Sequence, residues 1–129
     1  MIGKMILAHL VGDFLLQNDW MAQRKTKAWV PAVVHGVAYT APHLLVTQSP
    51  WALLVIGGTH IVIDRYRLAK YVIFAKNLAA PKAHRTPWSR CSHETGFPTT
   101  MPDSLGKGLL YVVDNTLHLL INAAAVVWL

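Results

Sequence analysis

Residues 9–20, HLVGDFLLQNDW, decide the fold, because they set polar side chains into an apolar run at four-residue intervals. On a helix of about 3.6 residues per turn, His9, Asp13 and Gln17 stack on one face. Their desolvation is costly unless other polar groups meet them. The stretch therefore predicts a helix whose polar face meets partners inside the fold while its apolar faces meet something else.

Composition suggests what that something is. The chain has 129 residues, 53% of them hydrophobic and only 14% charged, where a soluble domain carries charge on roughly 25%. Apolar segments run over about residues 2–20, 29–48, 51–74 and 105–129. Each nears the length needed to cross a hydrocarbon core about 30 Å thick. The pattern predicts an all-α, polytopic membrane helix bundle of about four transmembrane helices. It forms a single membrane domain, residues 1–129, with a long polar loop, 76–104, before the last helix. A soluble bundle of very apolar helices is the alternative.

Charge orients the bundle. Lys and Arg number 12 against 6 Asp and Glu. Arg24, Lys25 and Lys27 fall in the first connection and Lys76, Lys82, Arg85 and Arg90 in the third, while the second, TQSPW, is neutral. The positive-inside rule puts both basic loops in the cytoplasm and both termini on the far side. After Asp64 the stretch RYRLAKYVIFAK predicts a bent third helix, with Arg65, Arg67 and Lys70 on anionic lipid headgroups. The bilayer is thus the expected partner, and a homo-oligomer is left open. Nucleic acid is not expected, since no Gly-rich phosphate loop or helix-turn-helix pattern accompanies the charge. Nothing marks the N-terminus as a signal peptide, and the single cysteine, Cys91, has no internal disulfide partner.

Three segments carry a histidine and a carboxylate four apart: His9 with Asp13, His60 with Asp64, and Asp114 with His118. The second adds His35, Tyr39 and His43 on one face. Counted inward from the cytoplasmic ends at about 1.5 Å per residue, His9, Asp13, His35, His60, Asp64, Asp114 and His118 occupy one slab, with His43 beyond it. Imidazoles and carboxylates at one depth suit one or two divalent ions, Zn, Mn or Fe. Asp13, His35 and Asp64 are the expected catalytic groups. Gln17, Asp19 and Asn115 are expected to orient ligands, and Arg65 and Arg67 to hold a substrate phosphate. The alternative is a metal-free network or proton relay. In the polar loop, His84, Cys91, His93 and Glu94 form a weaker zinc candidate, Gly96 marks a turn, and Trp88 and Phe97 are expected at the membrane interface.

HLVGDFLLQNDWMAQ, HIVIDRYRLA, TGFPTTMPD and DNTLHLLINAA, in that order, resemble an uncharacterised bacterial and phage family, the domain of unknown function numbered 3307. The resemblance implies a small membrane protein with no assigned activity, and the expected location is the bacterial inner membrane. It also implies that His9, Gly12, Asp13, Gln17, Asp19, His60, Asp64, Asp114, Asn115 and His118 belong to the family's motifs. Two function classes follow from the residues. One is a metal-dependent hydrolase acting on a membrane-associated, lipid phosphoester-like substrate. The other is a non-enzymatic membrane protein: a proton or metal-ion pathway, or a phage-encoded modifier of the host envelope.

Overall fold

The computed structural model describes residues 1–129 and is all-helical, with six α-helices and no strand. They are α1 (Ile2–Leu10), α2 (Asp19–Arg24), α3 (Trp29–Thr40), α4 (Pro50–Tyr66), α5 (Ala69–Asn77) and α6 (Asp103–Trp128). The expected four-span bundle does not form. Only α6, at 26 residues, is long and apolar enough to cross a membrane.

The shortfall has local causes that hydropathy does not register. The first segment stays helical only to Leu15, through a π-helical turn over Val11–Leu15, and α2 then begins afresh. The Asn18 side chain caps that new start, accepting from the Met21 amide at 3.0 Å. In the second segment Pro42 cannot donate to an α-helical ladder, and α3 tightens into a 3-10 turn over Ala41–Leu45. Pro50 opens α4, with Ser49 Oγ accepting from the Ala52 amide at 3.3 Å. The third segment breaks after Tyr66, where Arg67 takes the left-handed conformation that closes many helices, φ 51°.

The chain forms two compact units. One comprises Met1–Tyr66 with His118–Leu129, and the other Arg67–Leu117, so α6 contributes to both. In the first unit α3 packs on α4, α2 on α3, and α1 on the 3-10 turn after α3. Its small apolar core is Tyr39, Ala52, Ile56 and Ala125. Its other buried side chains include His9, Asp13, His35, His43, His60, Asp64, His118 and Asn122, while Leu7, Phe14, Leu15, Val30, Leu45, Trp51 and Leu54 are exposed. Polar groups inside and large apolar groups outside invert the usual arrangement of a domain in water.

The second unit packs Ala69, Ile73, Phe97 and Leu110 together, with Met101, Val113 and Leu117 around them. Phe97, expected at an interface, is instead a core residue, 5% exposed. Gly96 does make the expected turn, with φ +78°. Cys91 is buried and pairs through its backbone with Pro98, while Trp88 stacks on His93 and Tyr71.

Gly12 fixes how the first segment meets α3. A Cβ there would lie 2.8 Å from Tyr39 Cδ2 and 2.9 Å from both its Cα and its carbonyl oxygen. The backbone atoms cannot give way as a flexible side chain can. Gly12→Ala is therefore expected to destabilise the fold by about 1–3 kcal/mol, the usual cost of overpacking a tight contact. Urea denaturation checks it, and an unchanged midpoint would count against this packing.

Candidate metal centre

Two close backbone approaches assemble the site. Gly12 lies against Tyr39, which brings its neighbour Asp13 to the face of α3 that carries His35. Gly36 lies against Ile61, where any side chain on it would overlap the isoleucine, and this brings His35 and His60 together from α3 and α4. Asp64 stands one turn beyond His60 on α4.

Four donor atoms converge there: Asp13 Oδ1, His35 Nε2, His60 Nε2 and Asp64 Oδ2, all within 4.8 Å of one another. His35 Nε2 is 2.9 Å from His60 Nε2, 3.2 Å from Asp13 Oδ1 and 3.3 Å from Asp64 Oδ2. His60 Nε2 is 3.4 Å from Asp13 Oδ1 and 3.1 Å from Asp64 Oδ2. Ligands about 2.0–2.1 Å from a tetrahedral ion stand about 3.3 Å apart, so these five separations lie close to the edges of such a site. All four residues are buried. This buried His and Asp group can hold a metal ion.

The protonation states suit that use in three of the four groups. Burial raises the Asp64 carboxyl, but His60 beside it and the bonds from His118 and His35 outweigh it and hold Asp64 well below the usual carboxylate range. Asp13 is likewise lowered: burial opposes ionisation, and the bond from His35, with His60 beside it, overcomes it. Burial pushes the His60 imidazole down to about 4, against the pull of Asp64. A neutral imidazole and ionised carboxylates are the ligating forms. His35 departs from the pattern, because its bonds to Asp13 and Asp64 raise it despite burial. Nδ1 of both His35 and His60 is buried without a hydrogen-bond partner, so the rings commit their polarity to the cluster through Nε2.

Each carboxylate also uses its second oxygen. Asp13 Oδ2 lies 3.6 Å from His9 Nε2, and Asp64 Oδ1 lies 3.3 Å from His118 Nε2. His9 Nδ1 in turn meets the Tyr39 hydroxyl at 2.8 Å, and Asn122 Nδ2 donates to that hydroxyl at 2.6 Å. The amide nitrogen of Asn122 can only donate, so the Tyr39 hydroxyl oxygen accepts from it. Asn122 Nδ2 also donates to His43 Nε2 at 3.1 Å, while His43 Nδ1 donates to the Tyr39 carbonyl at 3.0 Å. The Tyr39 ring stacks on His60, centroids 3.6 Å apart. One tyrosine therefore fixes the orientation of three histidines.

Of the residues expected in the site, Asp13, His35, His60 and Asp64 form the cluster, and His9 and His118 touch it through carboxylate oxygens. Asp114 lies one turn before His118 on α6, half-buried, in the second unit. Gln17 and Asp19 do not join the cluster. The helix ends at Leu15, so Gln17 lies outside it and off the His9–Asp13 face, and its buried Oε1 has no hydrogen-bond partner. Asp19 is exposed in the first turn of α2. Asn115 donates to the Tyr111 carbonyl of its own helix at 2.7 Å. Arg65 donates to the carbonyls of Thr26 at 2.7 Å and Lys27 at 3.3 Å, and Arg67 closes α4. His84 and His93 are exposed, and no metal-competent group includes them, Cys91 or Glu94.

Two features were missed from sequence. Lys25 reaches the cluster, its Nζ 2.7 Å from Asp64 Oδ2 and 3.3 Å from His35 Nε2. Asn122 holds Tyr39 and His43, and its signal was present: it stands four residues after His118, as His118 stands four after Asp114. No curated protein and no solved structure matches the chain. Residues 1–129, the whole chain, match the model of the family described as "Protein of unknown function (DUF3307)", and the protein belongs to that family.

Proposed function

We propose that the protein is a metal-dependent hydrolase acting on a lipid phosphoester, with Asp13, His35, His60 and Asp64 as its ion ligands. The observation that carries this reading is the five separations of 2.9–3.4 Å that link the four donor atoms. A bound divalent ion would supply Lewis acidity and make water acidic enough to react near neutral pH. Four protein donors close a tetrahedron, so substrate needs a further position, which Zn gains by expanding its shell and Mn by its octahedral preference. His9 and His118 would steady Asp13 and Asp64, and Tyr39 with Asn122 would steady His9.

The exposed Leu7, Phe14, Leu15, Leu45, Trp51 and Leu54 support a bilayer as partner and a lipid as substrate. Arg67 and Lys70 are the groups we assign to anionic headgroups, at the bacterial inner membrane. The test is release of the phosphate-bearing headgroup from phospholipid in mixed micelles, with Zn2+ or Mn2+ added and then chelated. Release that needs the ion and disappears in Asp13→Ala is expected. A metal-loaded protein that cleaves no phosphoester would rule the hydrolase out.

One observation favours a second reading, a proton path without hydrolysis: His9 meets the Tyr39 hydroxyl through Nδ1 at 2.8 Å and faces Asp13 through Nε2 at 3.6 Å. Proton flux into liposomes carrying the protein, without hydrolysis, would support it.

A further inference from the structure

The cluster already faces a cation of the chain's own. Lys25 closes α2, its amide bonded to the Met21 carbonyl at 2.9 Å, and its side chain turns inward to touch two of the four donor atoms. It is not a surface lysine resting where solvent allows. Arg65, the residue after the ligand Asp64, grips the carbonyls of Thr26 and Lys27, immediately after Lys25 in the chain. The guanidinium also lies over the Trp29 ring, 5.4 Å from its centroid. The segment bearing Lys25 is thereby clipped to the helix that bears Asp64. The Lys25 side chain is 18% exposed against 3% for Asp64 and 9% for Asp13, so it sits on the solvent side of the cluster.

An ion bonded to Asp64 Oδ2 and the ammonium touching that same oxygen would stand within about 5 Å of each other, given a metal–oxygen bond of about 2.0–2.2 Å. Both draw on the same two carboxylate charges, with little water between them to screen the repulsion. We infer that Lys25 is a tethered competitor for the metal site: its ammonium balances the carboxylates when no ion is bound, and an entering ion must displace it. The inference rests on the metal-ligand reading of the cluster. Its consequence is a site of deliberately reduced affinity that keeps its shape while empty, because the carboxylates are never left without a counter-charge.

The test is calorimetric titration of the full-length protein with Zn2+, comparing wild type with Lys25→Met, which keeps the length of the stem and removes the charge. Lys25→Met is expected to bind Zn2+ at least tenfold more tightly. Lys25→Arg, which keeps the charge, should stay within about threefold of wild type, as should Lys27→Met on the exposed neighbour. Equal or weaker binding by Lys25→Met overturns the competitor role while leaving the metal site intact. Absence of binding in both wild type and Lys25→Met overturns the metal reading, and the competitor with it. Should Lys25→Met fold only with the ion present, protein prepared in Zn2+ is mixed with excess chelator. Slower release than from wild type is expected, and equal or faster release overturns the inference.

Discussion

Asp64→Asn is expected to reduce bound metal from near one ion per chain to near none while the protein still folds. Asp64 is the most heavily shared group in the cluster, meeting Lys25, His35 and His60 through Oδ2 and His118 through Oδ1. The amide keeps the shape of the carboxylate and removes the charge that binds a cation. Taking one partner from a buried ion pair costs about 3–5 kcal/mol when the other is left stranded. The cost here falls at the lower end, because Lys25 is 18% exposed and can turn to water. A domain with a stability of about 5–15 kcal/mol survives that loss. Elemental analysis of wild type and variant, beside a thermal melt, reads both effects. Full metal content in a folded Asp64→Asn protein would remove Asp64 from the ligand set.

The second large effect is ligand-linked stabilisation. An ion that binds the folded chain alone, present at 100 times its dissociation constant, adds about 2.7 kcal/mol. For a chain of this length that raises the melting temperature by about 10 °C. Chelation should reverse the rise, and Asp64→Asn should show almost none of it. A rise of equal size in the variant would locate binding elsewhere, with His84, Cys91 and His93 the first residues to replace. The experiment thus separates the presence of a metal from the place where it binds.

Much of the centre was legible in the spacing of its residues. The i,i+4 rule finds His60 with Asp64 on α4, and the common depth of the polar groups brings Asp13 and His35 to them without any knowledge of contacts. Lys25 was illegible for a physical reason: a basic residue in a short connection is fully accounted for by solvent exposure, and only the bonds of Arg65 to Thr26 and Lys27 turn it inward. The four spans failed because apolar composition continues through Asn18, Pro42 and Arg67, while the backbone does not. A cap, a missing amide hydrogen and a left-handed residue each end a helix without lowering the mean hydropathy of the segment.

The two carboxylates of the cluster each divide their oxygens between the four-donor cluster and a histidine outside it, Asp13 toward His9 and Asp64 toward His118. A carboxylate so shared would offer an ion one oxygen rather than two. Calcium needs six to eight oxygen ligands and commonly takes carboxylates in pairs of oxygens. A centre with two single oxygens and two imidazole nitrogens would deny it both number and hardness of donor. The sharing that anchors Asp13 and Asp64 would therefore also act as a filter, favouring small ions with a taste for nitrogen over calcium.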